Sequence, residues 1–173
     1  MKNRFIIITI VGILVTIASS FTVNAQEPIW REESAWSEGD GFPGKNWAMY
    51  LNYTIDSGTI ETDLIADFDE YLDIGNITVY NDADSLFVEF EVFDGWQLNE
   101  THVDVAVDDD GNGIPDFPIN KGGNPKIGKF DYKNETHYLY PNTTTFTFAI
   151  TKTWSTGEIV YIASHAEVAI YSI

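Results

Sequence analysis

The sequence predicts an all-β protein: a single two-sheet β-sandwich, Greek-key or jelly-roll-like, carrying one long loop. Three observations predict it. Residues 76–80, 85–93 and 102–107 alternate between two side-chain faces, the period of a half-buried strand. Short runs of turn-forming residues separate the strand-like segments. No stretch carries a convincing amphipathic helix of ordinary length; residues 61–70 alone have a weak helical spacing.

Taken in order, the chain begins with a targeting segment. Met1-Lys-Asn-Arg4 is basic, residues 5–18 are apolar without a charge, and Val23-Asn24-Ala25 has small or β-branched residues where a signal peptidase reads them. Residues 1–25 are therefore expected to be a signal peptide and 26–173 the sandwich domain. Retention of the segment as an anchor is the alternative, since the apolar run falls just short of a spanning helix. Either way the protein is expected to be secreted, extracellular or held at the cell surface, with no stable membrane span after cleavage.

In the mature part, Asn76-Ile-Thr-Val-Tyr80 leads through the turn Asn81-Asp-Ala-Asp84 into residues 85–93. There Leu86, Val88, Phe90 and Val92 share one face, and Phe87, Glu89, Glu91 and Phe93 the other. The next run, His102-Val-Asp-Val-Ala-Val107, places its valines on the core face. Residues 108–129 are irregular, and a loop of that length in a compact domain is functional or pinned. Residues 143–151 and 158–171 supply further strands. The last of these keeps its strand pattern to the end of the sequence, so it is expected to pair within its own sheet. The alternative is self-association, in which it adds to a neighbour's open edge strand.

Charge excludes some partners. Of 173 residues 27 are acidic and 9 basic, a net charge of −18. The leader holds two of those basic residues, Lys2 and Arg4, and no acidic one. Nucleic acid and anionic membrane would be repelled by such a surface. With no cysteine, thiol chemistry and disulfides are absent.

Three segments come in a familiar order: Gly95-Trp-Gln-Leu-Asn-Glu-Thr-His102, Gly123-Asn-Pro-Lys-Ile-Gly-Lys-Phe-Asp-Tyr-Lys133 and Tyr161-Ile-Ala-Ser-His-Ala-Glu-Val168. Together they resemble an uncharacterised group of secreted and cell-surface β-rich domains of bacteria and archaea. Its signatures are close to GWxLxETH, GNPxPGxFxYK and YIAAHA. The likeness covers residues 74–168, with Ile127 where the group has proline. It implies a secreted β-rich domain and supplies no catalytic residues.

The most specific chemistry lies at the start of the long loop. Asp108-x-Asp110-x-Asn112-Gly113 follows the opening of an EF-hand calcium loop, with the Ile114 carbonyl and Asp116 at the next ligand positions. Alternate residues in a tight turn aim oxygens at one centre, and Ca²⁺ takes six to eight of them. The twelfth position is Ile119 instead of glutamate, and no helices flank the loop. A structural calcium ion that pins the loop is expected, with no sensing role.

Five Asn-x-Thr sequons, at Asn52, Asn76, Asn99, Asn134 and Asn142, exceed what chance gives at this composition and predict N-glycosylation. The plain alternative is a threonine-rich β protein with asparagines at strand ends. His102-x-Asp104 and His165-x-Glu167 each put an imidazole and a carboxylate on one face of a strand. If those strands are neighbours, the four side chains form a second metal site. The commoner outcome is a histidine hydrogen-bonded to the carboxylate beside it.

Trp30, Trp36, Trp47, Trp96 and Trp154 are expected to be mostly core. An exposed planar row of them would instead mark a carbohydrate-binding module. No G-x-S-x-G, H-E-x-x-H or cysteine nucleophile is present, so no enzyme is expected. These observations point to an exported structural or adhesive domain that contacts extracellular surface components or glycans. A carbohydrate-binding module is the alternative. An acidic hydrolase ranks third and requires two carboxylates facing across a cleft.

Overall fold

The computed structural model describes residues 29–66, 71–136 and 143–172. The expected leader and Asn142 lie outside them. Ten strands follow in order: β1 (Ile29–Ser37), β2 (Asp40–Gly41), β3 (Met49–Thr54), β4 (Ile60–Ala66), β5 (Leu72–Asn81), β6 (Ser85–Val92), β7 (Trp96–Ala106), β8 (Tyr132–Asn134), β9 (Thr145–Thr151) and β10 (Ile159–Ser172). The one helical element among the described residues is a 3-10 turn at Ile127–Lys129. The protein is all-β, as the alternation requires, and every strand pairing is antiparallel.

Strand β10 organises the sheet. Along one edge it pairs β7, from Tyr161↔Ala106 to Ile170↔Trp96, and β8 continues outward from β7. Along its other edge it pairs β3 near its start and β1 further on, from His165↔Trp36 to Ser172↔Ile29. The end of β1 then turns to β4 through Ala35↔Ala66 and Ser37↔Leu64, and β5, β6 and β9 follow. The two layers of the sandwich are thus joined through β1 into one open sheet.

Its two wings close on a common core. Leu51, Tyr53, Leu98, Val103, Val160, Ile162, Ala166 and Val168 come from the β3–β7–β10 wing. Leu64, Ile77, Val79, Leu86, Val88, Phe90 and Ile150 come from the β4–β5–β6–β9 wing. The alternation read from β6 is the one observed: Leu86, Val88, Phe90 and Val92 are buried. Residues 61–66, with their weak helical spacing, lie in β4. Pairing with β5 along the whole strand and with β1 at its end satisfies the backbone there. Non-local ladder bonds outweigh a marginal local preference for helix.

The back of the β3–β7–β10 wing is covered as well. Trp36, Phe42, Ala48, Ala106, Phe117, Phe130 and Ala163 form a second buried cluster. Phe117 and Phe130 belong to the long segment after β7, so apolar packing holds that segment down at both ends. Trp36 meets Phe42 and Phe130 edge-on, with centroids 6.1 and 6.4 Å apart. Backbone bonds complete the hold: Lys126 N–H donates to the Pro118 carbonyl at 2.7 Å, and Asn120 N–H to the Asn124 carbonyl at 2.9 Å. This second layer buries β7 on both faces, so His102 and Asp104 are enclosed together with Val103.

Candidate functional site

The acidic loop leaves β7 and closes on itself. The Asp108 carboxylate accepts from the backbone N–H groups of Asn112 and Gly113, at 3.0 and 2.8 Å. Asp110 accepts from the same Asn112 N–H at 3.1 Å and from Asn112 Nδ2 at 2.9 Å. Asn112 Oδ1 accepts from Ile114 N–H, and Asp116 from Asp109 N–H. Two carboxylates thus share one donor on one side of the turn, and the backbone dipoles offset part of their repulsion. Gly111 and Gly113 take φ of +68° and +82°, the left-handed region this bend requires. Asp108, Asp110, Asn112, Ile114 and Asp116 therefore lie in one compact turn, whose side-chain oxygens accept from the turn's own donors.

The four described sequon asparagines are not buried. Asn52 is exposed between buried Leu51 and Tyr53, and Asn76, Asn99 and Asn134 are half-exposed. At Asn134 the side-chain oxygen accepts from both the N–H and the hydroxyl of Thr136, at 3.0 and 2.8 Å. That sequon is folded as a tight local turn.

A second gathering of ionisable side chains lies on the outer face of β1, β10 and β7. Strands β7 and β10 are neighbours, and His102 stands directly opposite His165. Their Nδ1 atoms are 3.4 Å apart in a buried setting, with the rings inclined at 40°. Trp36 covers the His165 ring at a centroid distance of 4.7 Å. Desolvation, and secondarily His102, pushes the pKa of His165 down to about 3, so this ring is neutral at physiological pH.

Each ring turns its Nε2 toward the outer, more open part of the face. His165 Nε2 is 2.9 Å from Ser34 Oγ and 3.4 Å from Glu167 Oε1, and Ser34 Oγ donates to Glu167 at 3.1 Å. His102 Nε2 lies 3.5 Å from Glu135 and 4.0 Å from Glu100. Glu100 and Glu167 are opposed in register on adjacent strands. With Glu32 and Asn99 they line a cleft of about 190 Å³. Burial, and then the charges of Glu100 and Glu32, raise the Glu167 carboxyl above its ordinary range. Like charges set directly across a ladder destabilise it, so this face is strained electrostatically.

Of the four residues expected to form a second metal site, His102 meets His165 through their Nδ1 atoms, and Ser34 joins His165 to Glu167. Asp104 stands apart on the loop side of the pair. It is opposite Ala163, accepts from Asp131 N–H at 3.4 Å, and is raised to about 6 by burial above all. As the side chains stand, no three His, Asp or Glu groups among the described residues are drawn tightly enough around one point to hold an ion.

Sequence reasoning missed Glu32, Ser34, Glu100 and Glu135. Glu100 was legible, since it precedes His102 by two in the same alternating strand. Ser34 and Glu32 were not, because only the β1–β10 register brings them alongside Glu167.

Among the tryptophans whose side chains are described, which leaves out Trp30, none stands in an exposed row. Trp36 is buried, and Trp47, Trp96 and Trp154 are half-buried and packed against the two clusters. A carboxylate pair that hydrolyses a glycoside stands on either side of its substrate, whereas Glu100 and Glu167 stand side by side on one sheet face. Comparison with known protein families, curated proteins and solved structures finds no match.

Proposed function

We propose that the protein is an exported structural or adhesive β-sandwich of the cell surface or extracellular space, stabilised by calcium and N-glycosylated. One observation carries this reading: strands that bury their alternate residues present sequon asparagines on the opposite face, and none of the four described sequon asparagines is buried. Glycans there crowd no core side chain. The likeness of residues 95–102, 123–133 and 161–168 to secreted surface domains supports the same assignment.

Calcium belongs to the acidic loop in this reading. Phe117 already anchors the segment just beyond it, so the ion adds rigidity to residues 108–116 and leaves the rest to packing. The missing twelfth-position glutamate places the affinity at the weak, extracellular end, on the order of 0.1–1 mM. At free calcium tenfold above the dissociation constant, linkage gives about 1.4 kcal/mol.

Intact mass of protein from its native source tests the glycan, and the bare polypeptide mass would refute it. Thermal unfolding with and without calcium tests the ion. Tm rises with calcium and only weakly with magnesium, and Asp110→Ala removes most of the rise. A Tm indifferent to chelator would reduce the loop to an acidic turn.

A further inference from the structure

Strand β9 is an open edge without a guard. Its ladder with β6 runs from Ser85↔Thr151 to Glu91↔Thr145 with no bulge. In the same register the Thr144 carbonyl accepts from Val92 N–H, and the Asp84 carbonyl from Lys152 N–H, both at 2.8 Å. Phe146, Phe148 and Ile150 therefore turn their backbone groups toward β6. Thr145, Thr147, Ala149 and Thr151 turn theirs the other way. All four are exposed, and among the described residues no strand lies on that side. Thr143 shows what such a group does when a strand is in reach: its carbonyl accepts from Leu98 N–H at 2.8 Å.

A row of unpaired N–H and C=O groups is a template for another strand, and proteins blunt it with charge, proline or a bulge. Charge guards the other open lengths of strand: Glu32 in β1, Asp40 in β2, Glu61 in β4, Glu100 in β7 and Lys133 in β8. Residues 143–151 contain no charge, proline or glycine, in a chain of which 21% is charged. Strand β10 offers no such edge, since it is paired with β7 on one side and with β3 and β1 on the other.

We propose that a second copy of this chain occupies the edge, β9 pairing antiparallel with β9 across a two-fold axis so that the two sheets become one. Charge selects the occupant. The surface is acidic, and a copy of β9 brings no carboxylate against it. A two-fold axis at Phe148 sets Thr145 opposite Thr151 and Thr147 opposite Ala149, so all four outward residues on both copies exchange their backbone bonds. On the core face the same register sets Phe148, half-buried at the rim, opposite its own copy. Aromatic pairs across a ladder are favourable. Glu89 lies one strand inward, so it stands three strand spacings, roughly 14 Å, from its copy. That exceeds the Debye length of about 8 Å at physiological salt. The pairing uses up the same edge on both copies, so assembly closes at two. Two strands of seven residues make a small contact beside the roughly 1,200–2,000 Å² of a stable complex, so the dimer is weak.

Sedimentation equilibrium of the purified protein tests this, from about 10 µM to 1 mM and from low salt to about 0.5 M NaCl. A monomer–dimer equilibrium is expected that moves toward dimer with concentration and salt, with no larger species. Ala149→Pro deletes an outward N–H that the fold does not use, at an edge position where proline is tolerated. It raises the dissociation constant at least tenfold. Thr78→Lys, on the same outer face two strands inward, does not. Hydrogen exchange supplies a signature of the register. Amides of Thr145, Thr147, Ala149 and Thr151 exchange slowly in the dimer and fast on dilution. Those of Phe146, Phe148 and Ile150 stay slow in both states, and slow exchange at Phe148 and Ile150 in Ala149→Pro shows that variant to be folded. A chain that stays monomeric at about 1 mM overturns the proposal and leaves the edge to a strand of a different protein. A dimer indifferent to Ala149→Pro, or one whose outward amides exchange fast, overturns it as well.

Discussion

At the scale of single residues, the protein tolerates several polar groups in apolar surroundings. Ser164 lies on the core face of β10 opposite Val103, fully buried, and its hydroxyl has no partner among the described residues. An unsatisfied buried hydroxyl costs about 1–3 kcal/mol by mutational measure. Ser164→Ala is therefore expected to stabilise the protein by about 1 kcal/mol in urea unfolding; a loss of stability would reveal a partner for the hydroxyl. Asp104 is the costlier case. Its pKa is raised to about 6, so the folded protein holds a proton that the unfolded chain has already released. Between about pH 4 and pH 6 the folded state binds more protons, and stability falls as pH rises through that window. The ionisation costs about 2–3 kcal/mol above it. In chelator, Asp104→Asn should remove this slope and be more stable than the parent at pH 7. An unchanged slope would place the titration elsewhere.

At the scale of elements, turns and loops are fastened to strands they do not adjoin in sequence. Asp56, in the turn after β3, accepts from Asn81 Nδ2 at the end of β5 and from Lys152 Nζ after β9, at 2.6 and 2.9 Å. Hydrogen bonds from Thr156, Asn81 and Lys152, in that order, lower its pKa to about 2. The folded pKa is depressed, so this contribution is present above about pH 4 and is lost as pH falls through about 2. Asp56→Asn should flatten the acid limb of a stability–pH profile, and a limb of unchanged steepness would exclude Asp56 as its source.

The long segment is clasped by a second device. Gly123, at φ +80°, sits against Gly44, and a Cβ on Gly44 would meet Asn124 Oδ1 at 1.8 Å and the Asn124 backbone nitrogen at 2.7 Å. Gly44→Ala should release residues 108–129 to proteolysis. Phe117→Ala, which removes a ring packed on Phe42 and Tyr50, should cost about 3 kcal/mol. If either variant leaves proteolysis of that segment at the parent rate, this packing is not what holds the segment.

At the scale of the whole molecule, a net charge of −18 on a chain without disulfides opposes compaction. Added salt screens that repulsion over a Debye length of about 10 Å at 0.1 M. Tm should therefore climb as NaCl is raised from a few millimolar to about 0.5 M, before any specific ion is added. A flat response would mean that local pairs and backbone donors already neutralise the surface. The described part of the chain contains no helix long and apolar enough to cross a membrane.

What the sequence determined by itself was whatever depends on near neighbours. The strand period of β5 and β6, their turn at residues 81–84, the compact geometry of the acidic loop and the exposure of Asn52 and Asn76 all follow from alternation and turn chemistry. Tertiary structure decided the rest, because the deciding contacts are distant in sequence. Strand β1 carries no clean alternation signal, and β4 looked faintly helical; their pairing with β10 and β5 makes them strands. The long loop could be read as pinned, yet the rings of Phe117 and Phe130 found Trp36 and Phe42 only in the fold. His102 and His165 are 63 residues apart, and the register of β7 against β10 alone sets them face to face. Residues on one strand announce their own face. Which other strand that face will meet is settled by packing, where burial of the whole surface outweighs any local preference.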